Sequence, residues 1–175
     1  MKKLSIGFSK SKKNFPICSW LIRFYQGTEY SHIYLRLHTG PTGTGWYDYD
    51  QILHASEGLV QAMSEKHFDK RHIIVREFKF EIDDDLWNDI KRDAHNEAGA
   101  SYGTMQNLGV AWVDFMRWAF DKRVSNPFQS GWNCSEYLFT KAVHRMYPKL
   151  FPEIDPNSIT PKDIFQKLEI IEGIE

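Results

Sequence analysis

Hydrophobic and polar positions change period several times along this chain, and each change predicts an element. Leu4 to Phe8 alternates weakly, as a short first strand would. From Phe15 to Gln26, Trp20, Leu21, Phe24 and Tyr25 recur at i, i+1, i+4, i+5, the spacing of an amphipathic helix that ends before Gly27. The period returns to two over Tyr30–Leu37. There Tyr30, His32, Tyr34 and Arg36 share one face of a predicted strand, and Ser31, Ile33, Leu35 and Leu37 share the other. The segment 38–50 is rich in Gly and Thr and reads as a loop. Its glycines do not follow the phosphate-cradling pattern, so it implies no nucleotide. QILHAS (51–56) and GLVQAM (58–63) then read as a hairpin turning near Glu57-Gly58. In its first arm Ile52 and His54 point one way, Leu53 and Ala55 the other. A further strand over 72–80 places Ile74, Arg76, Phe78 and Phe80 on one face.

The second half is helical in period. Asp83-Asp84-Asp85 caps a helix running to about Ala98, with Leu86, Ile90 and Ala94 inward. Gly99–Gly103 breaks the pattern, and 104–120 resumes it with Trp112, Phe115, Trp118 and Phe120, a stripe that reads as core. After the loop 121–131, Asn133-Cys134-Ser135-Glu136 has the form of a capped helix start. Tyr137, Leu138, Val143 and Met146 follow at helical spacing. The Pro-punctuated tail carries Ser158–Asp163, a cap plus N1 proline opening a last helical turn or two. Strands gathered mostly in the first half and helices in the second describe an α+β chain.

Composition narrows the class. The 175 residues suit one domain (1–175) with its own core, and 42% hydrophobic with 15% aromatic residues suits a folded globule. Lys+Arg 22 against Asp+Glu 23 leaves a net charge of −1, so no overall field draws the chain to nucleic acid or an anionic surface. Only the beginning is locally basic (Lys2, Lys3, Lys10, Lys12, Lys13). Two cysteines without a CxxC pair are too few for a disulfide framework or a cysteine-based zinc site. The first fifteen residues lack an apolar h-region, and no apolar run reaches the roughly 18 residues of a transmembrane span, so a cytoplasmic protein is expected.

Cys134 is the residue that changes the picture. In the first turn of a helix its sulfur meets unpaired N–H groups and the positive end of the dipole, which favour a thiolate. Cys18, with no acid–base partner near it in sequence, reads as packing. Thiol catalysis also needs an imidazole to exchange the proton and a group to orient it. His32 and His54, on strands close enough to pair, supply both, with Glu57 as a fallback orienting group. Zinc bound by His32, His54 and Cys134 has suitable ligand types but not the usual paired spacing.

The motifs Tyr30-Ser31-His32-Ile33-Tyr34-Leu35, Ile52-Leu53-His54-Ala55 before Gly58-Leu59-Val60, and Asn133-Cys134-Ser135-Glu136 resemble the circularly permuted papain-like, NlpC-type proteins. That group includes lecithin–retinol acyltransferase and the bacterial YiiX-like hydrolases. Its histidine strand precedes its cysteine helix, as here. Tyr102 and Thr160-Pro161-Lys162-Asp163 match further elements of the group, so the likeness spans roughly residues 4–168. The resemblance implies an antiparallel sheet or half-barrel packed on a helical bundle that presents the cysteine at a helix N-terminus. It implies Cys134 as nucleophile, His32 as general base and then acid, and His54 in the third, polar position. The Cys134 N–H, with Tyr30 or another backbone amide, would hold the oxyanion. The implied activity is that of a cysteine hydrolase (amidase, peptidase or acyl-ester hydrolase) or an acyltransferase, working through a thioester without metal or cofactor. Its substrate would be an amide or ester in a peptide, a peptidoglycan fragment or a lipid, and Tyr30, Tyr34, Trp46 and Trp132 near the cleft suit all three. The alternative is a binding or scaffold protein that keeps the fold and uses the trio for packing.

Overall fold

The computed structural model describes residues 1–12, 17–39, 50–56, 58–101, 104–128, 131–151 and 155–173. Glu57, Trp46, Tyr102 and the body of the 38–50 loop lie outside the described residues. The chain is α+β, built on a five-stranded antiparallel sheet. In chain order the elements begin with β1 (Lys2–Ser11), α1 (Ile17–Gln26), β2 (His32–Leu37), β3 (Gln51–Ser56) and β4 (Leu59–Ser64). They continue with α2 (Glu65–Asp69), β5 (His72–Ile82), α3 (Asp84–Asn96) and α4 (Thr104–Phe120). Next comes α5 (Cys134–Leu138), which runs through one π turn (Phe139–Val143) into α6 (His144–Met146). After two single 3₁₀ turns the described chain closes with α7 (Pro161–Glu172).

The strand order is β4-β3-β2-β1-β5, which puts β1 inside the sheet, paired to β2 on one side and to β5 on the other. β1 alternates more strictly than its opening residues suggest. Leu4, Ile6 and Phe8 enter the main core, while Ser5, Gly7 and Ser9 leave a shallow stripe on the opposite face. Gly7 is required there, because a Cβ at that position would sit 2.1 Å from Cζ of the Tyr34 ring. Ser5 Oγ bonds His38 Nε2 at 2.8 Å on the same stripe.

The hairpin β3–β4 and the facing predicted for residues 32–37 and for β3 match the structure. Ile33, Leu35, Leu37, Leu53 and Ala55 join the main core, whereas Tyr34 and Ile52 form a second cluster with Phe68 of α2. That second face is concave. β3 and β5 are three strand spacings apart, about 14 Å in a flat sheet. The His54 and His72 rings projecting from them nevertheless stand 5.6 Å apart, centroid to centroid.

Four expectations are corrected. Tyr30 precedes β2 and its ring lies in the main core, stacked on Phe165 at 4.8 Å, so it leaves the His32 face. Ile74 does not share a face with Phe78 and Phe80. A bulge shifts the β1–β5 register between Phe8↔Arg76 and Ser9↔Ile74, sending Ile74 to the concave side and Phe78 to the core. The closing helix is α7, twelve residues, much longer than a turn or two. Thr160 and Asp163 form a reciprocal capping box with Pro161 at its first position, and Ile164 and Leu168 are buried. Finally, the aromatic stripe of α4 is not core. Its buried side is Gln106, Val110, Ala111, Val113 and Asp114, and Trp112, Trp118 and Phe120 face outward.

α4 packs on α1 through a small cluster of its own (Ile22, Val110, Ala111). Between them Gln26 Nε2 donates to Asp114 at 2.7 Å, and burial pushes the Asp114 carboxyl up to about 7. Among the described residues no helix is long and apolar enough to cross a membrane.

Candidate active site

The site forms where β2 and β3 part. Their ladder runs from Leu37↔Gln51 to Leu35↔Leu53 and stops there, so Ile33 and Ala55 are not paired. The His38 N–H donates to the Lys3 carbonyl of β1, so by alternation the N–H groups of 33, 35 and 37 point toward β3. The Ile33 N–H thus has no ladder partner on that side. It is directed at the Cys134 sulfur instead. Cys134 itself is buried in the main core, on the face of the sheet under the helices.

Local sequence explains why Cys134 is held there. Asn133 is the N-cap of α5, its Oδ1 accepting from the Glu136 N–H at 2.8 Å. Asn133 Nδ2 also donates to Glu136 Oε2 at 3.4 Å, and burial pushes the Glu136 carboxyl up. Gln106 of α4 ties down the approach. Its Nε2 donates to the Gly131 carbonyl, and its Oε1 accepts from Asn126 at 3.3 Å and Asn133 at 3.4 Å. α4 comes this close to Asn126 because Gly109 faces it; a Cβ there would lie 1.7 Å from Asn126 Oδ1. Trp132, just before the cap, donates to Glu97 at 3.1 Å under the Lys141 ammonium.

The two predicted histidines meet. His32 Nε2 and His54 Nδ1 share a hydrogen bond at 3.0 Å, across the gap left by the unpaired strand ends. Both are buried, His32 at 8% exposure and His54 at 2%. The polar face of β2 is therefore covered, not a half-open cleft. Phe68 of α2 and His72 of β5 cover it. The His72 ring stacks on Phe68 at 4.3 Å and on His32 at 5.1 Å, and Ser9 Oγ reaches His72 Nδ1 at 3.5 Å. Deeper on the same face, Arg36 pairs with Glu77 (2.8 Å) and Glu65, and Tyr34 donates to Glu77 at 2.6 Å.

His72 and Phe68 were not among the predicted site residues. The bulge in β5 shifts the parity of its N-terminal end, so counting by twos from Phe78 cannot find His72. α2 is a single turn and carries no periodic signal.

Electrostatics set the resting state. Burial holds the His32 imidazole well below its usual pKa, with the neighbouring His72 and His54 adding to the effect, so the ring is neutral at pH 7. Burial also pushes the Cys134 thiol up. The Ile33 N–H and the Ser135 hydroxyl and N–H oppose that without cancelling it. The thiolate expected from the helix terminus alone is thus outweighed by desolvation, and the site rests as a neutral thiol beside a neutral imidazole. No hydrogen bond joins Cys134 to His32. Among the described residues, no group of three or more His, Cys, Asp or Glu side chains is arranged to hold a metal ion.

Comparison of the sequence with protein-family models and with characterised proteins finds no match.

Proposed function

We propose that this chain is a cytoplasmic cysteine hydrolase or acyl-transfer enzyme with a permuted papain-like, NlpC-type fold. The observation that carries this reading is the 3.0 Å His32–His54 bond at the strand ends where the Cys134 sulfur sits against the Ile33 N–H. The reading takes its nucleophile, imidazole and orienting group from three separated segments; it is supported by the His32–His54 bond and by Ile33, next to His32, facing the Cys134 sulfur. Permuted order is supported by the histidine strand preceding the cysteine helix.

In the proposed reaction an amide or ester carbonyl enters beside Cys134. His32 spends Nε2 on His54, so Nδ1 is the nitrogen left to receive the thiol proton as sulfur attacks the carbonyl carbon. The Cys134 N–H at the start of α5 stabilises the oxyanion. Collapse of the tetrahedral adduct breaks the C–N or C–O bond, and the proton on His32 passes to the departing amine or alcohol. Water, deprotonated by His32, then attacks the thioester and releases the acid; a second alcohol or amine in place of water gives acyl transfer. Because both groups rest neutral, proton transfer accompanies attack, with no standing ion pair.

The raised thiol pKa favours a second reading, a binding protein that keeps these residues for packing. Limiting iodoacetamide near neutral pH, read by mass spectrometry, separates the two. The catalytic reading expects prior treatment with a limiting activated ester to acylate Cys134 and protect it from alkylation while half-buried Cys18 still labels, and the Cys134→Ala variant to lose acyl-ester turnover. Equal labelling, or full turnover by Cys134→Ala, would sink it.

A further inference from the structure

α1 and α4 form a layer with its own small core, and their outer surface is the largest aromatic exposure among the described residues. Seven rings touch in one continuous run. Trp20 stacks on Phe24 (5.4 Å), Phe24 meets Tyr25 (5.3 Å), and Tyr25 meets Phe115 (5.6 Å). Phe115 in turn contacts Trp112, Trp118 and Phe120 at 5.7 to 6.4 Å. Trp118 is 66% exposed, Phe120 59% and Phe24 57%, with Ile17, Met105 and Leu108 also exposed on the same two helices. Folded chains rarely leave so much contiguous apolar surface to water unless something covers it.

The charges around this surface indicate what the cover is. The two helices carry two cations, Arg23 and Arg117, and one carboxylate, the buried Asp114, so neither presents an exposed carboxylate. Glu29 and Asp121 lie just beyond the helix ends. Lys122 and Arg123 come next, after Asp121, and are exposed. Trp118 also borders a cavity of about 440 Å³ lined by Arg117, Arg123 and Lys162 with Asp114 and Asp163, where Asp163 pairs with Arg117 at 2.8 Å and, more loosely, with exposed Arg123 at 3.7 Å. Amphipathic rings that prefer the headgroup level, with a margin richer in cations than in exposed carboxylates, are the features of a surface that lies in a bilayer interface.

We propose that the α1–α4 aromatic face is a peripheral docking surface for phospholipid bilayers containing anionic lipid. Trp20, Phe24, Trp112, Trp118 and Phe120 enter the interface, and Arg23, Lys122 and Arg123 take lipid phosphates at its margin. The chain's near-zero net charge does not oppose this, since the cations are gathered beside the rings. The inference does not depend on the catalytic reading, and its test involves no turnover.

The test is co-sedimentation of the full chain with vesicles of phosphatidylcholine alone or mixed equally with phosphatidylglycerol, together with tryptophan emission. We expect partitioning onto the mixed vesicles with a blue shift, weakened by salt. The Trp118→Ser/Phe120→Ser double variant should lower partitioning about tenfold or more. Lys122→Gln/Arg123→Gln should lower it on mixed vesicles while leaving the weaker binding to phosphatidylcholine alone unchanged. Both pairs are exposed, and circular dichroism checks that each variant stays folded. Absence of partitioning, or equal partitioning by the aromatic variant, overturns the proposal. So does a dimer in light scattering that the aromatic variant dissociates, since a second copy would then be the cover.

Discussion

The two faces of the sheet take alternate residues from the same strands, yet they enclose different chemistry. The face under the helices buries Leu4, Ile6, Phe8, Ile33, Leu35 and Leu53 in one apolar cluster. The concave face buries His32 and His54 beneath a half-buried His72, with the Arg36–Glu77 pair and the Tyr34 hydroxyl, and Phe68 and Ile52 as its apolar filling. The first face gains from area removed from water. The second sets the desolvation of polar groups against bonds made within the cluster, so it contributes less stability for the same volume. That asymmetry is what a site needs: a rigid support on one side, and on the other buried groups whose protonation is shifted from its ordinary range. Cys134 is buried with the first cluster, its sulfur against the N–H of Ile33, the neighbour of His32.

The sharpest way to break this comparison is to truncate one ring on each face. Phe8 and Phe68 are both fully buried. Phe8→Ala should cost about 4 kcal/mol in urea unfolding, and Phe68→Ala about 3 kcal/mol. Only the second should move the His32 ring resonances toward ordinary titration in NMR, because Phe68 is part of what dehydrates that ring. If both variants leave the histidine signals unchanged, α2 is not the cover of the site.

Acid titration sharpens the same contrast with a smaller effect. A histidine whose folded pKa lies below its unfolded value contributes stability that is complete above about pH 6.5 and is lost as pH falls from there toward the folded value. His32 should therefore make unfolding free energy fall below about pH 6.5, by at most about 1.4 kcal/mol per pH unit for its one proton. His32→Phe should flatten that slope, whereas Ile33→Val, which points to the other face, should lower stability equally at every pH.

The smallest expected change is at the cap. Asn133→Ala removes the acceptor of the Glu136 N–H and should cost about 1 kcal/mol in thermal or urea unfolding. Its larger consequence is for alkylation, since the cap and Gln106 hold the first turn of α5 in place. A Cys134 labelling rate unchanged by Asn133→Ala would show that the turn is held by packing alone.

How far the site could be read from sequence follows from how local its determinants are. His32 and His54 were legible because β2 and β3 keep a strict two-residue alternation up to the point where they part. Asn133 and Thr160 were legible because a cap acts over three residues. His72 was hidden by one bulged position that reverses the facing of a strand end. Phe68 was hidden by a helix too short to show a period. The aromatic residues of α4 were misassigned for a different reason. Hydrophobic spacing says that a helix has an apolar stripe, but not whether the protein itself covers it. In α4 the inward side is made by small and polar residues packed on α1 and on the Asn126 loop.

The interior position of β1 also has a consequence in time. Its partners reach residues 37 and 82: Leu4 pairs with Leu37, and Lys2 with Ile82. During synthesis β1 waits with both edges open until β2 follows, and with one edge open until β5 emerges. Ser5, Gly7 and Ser9, interleaved with its three large apolar residues, keep that waiting strand from presenting two adhesive faces. The same small residues that later make room for Tyr34 and His72 protect the chain before either has been added.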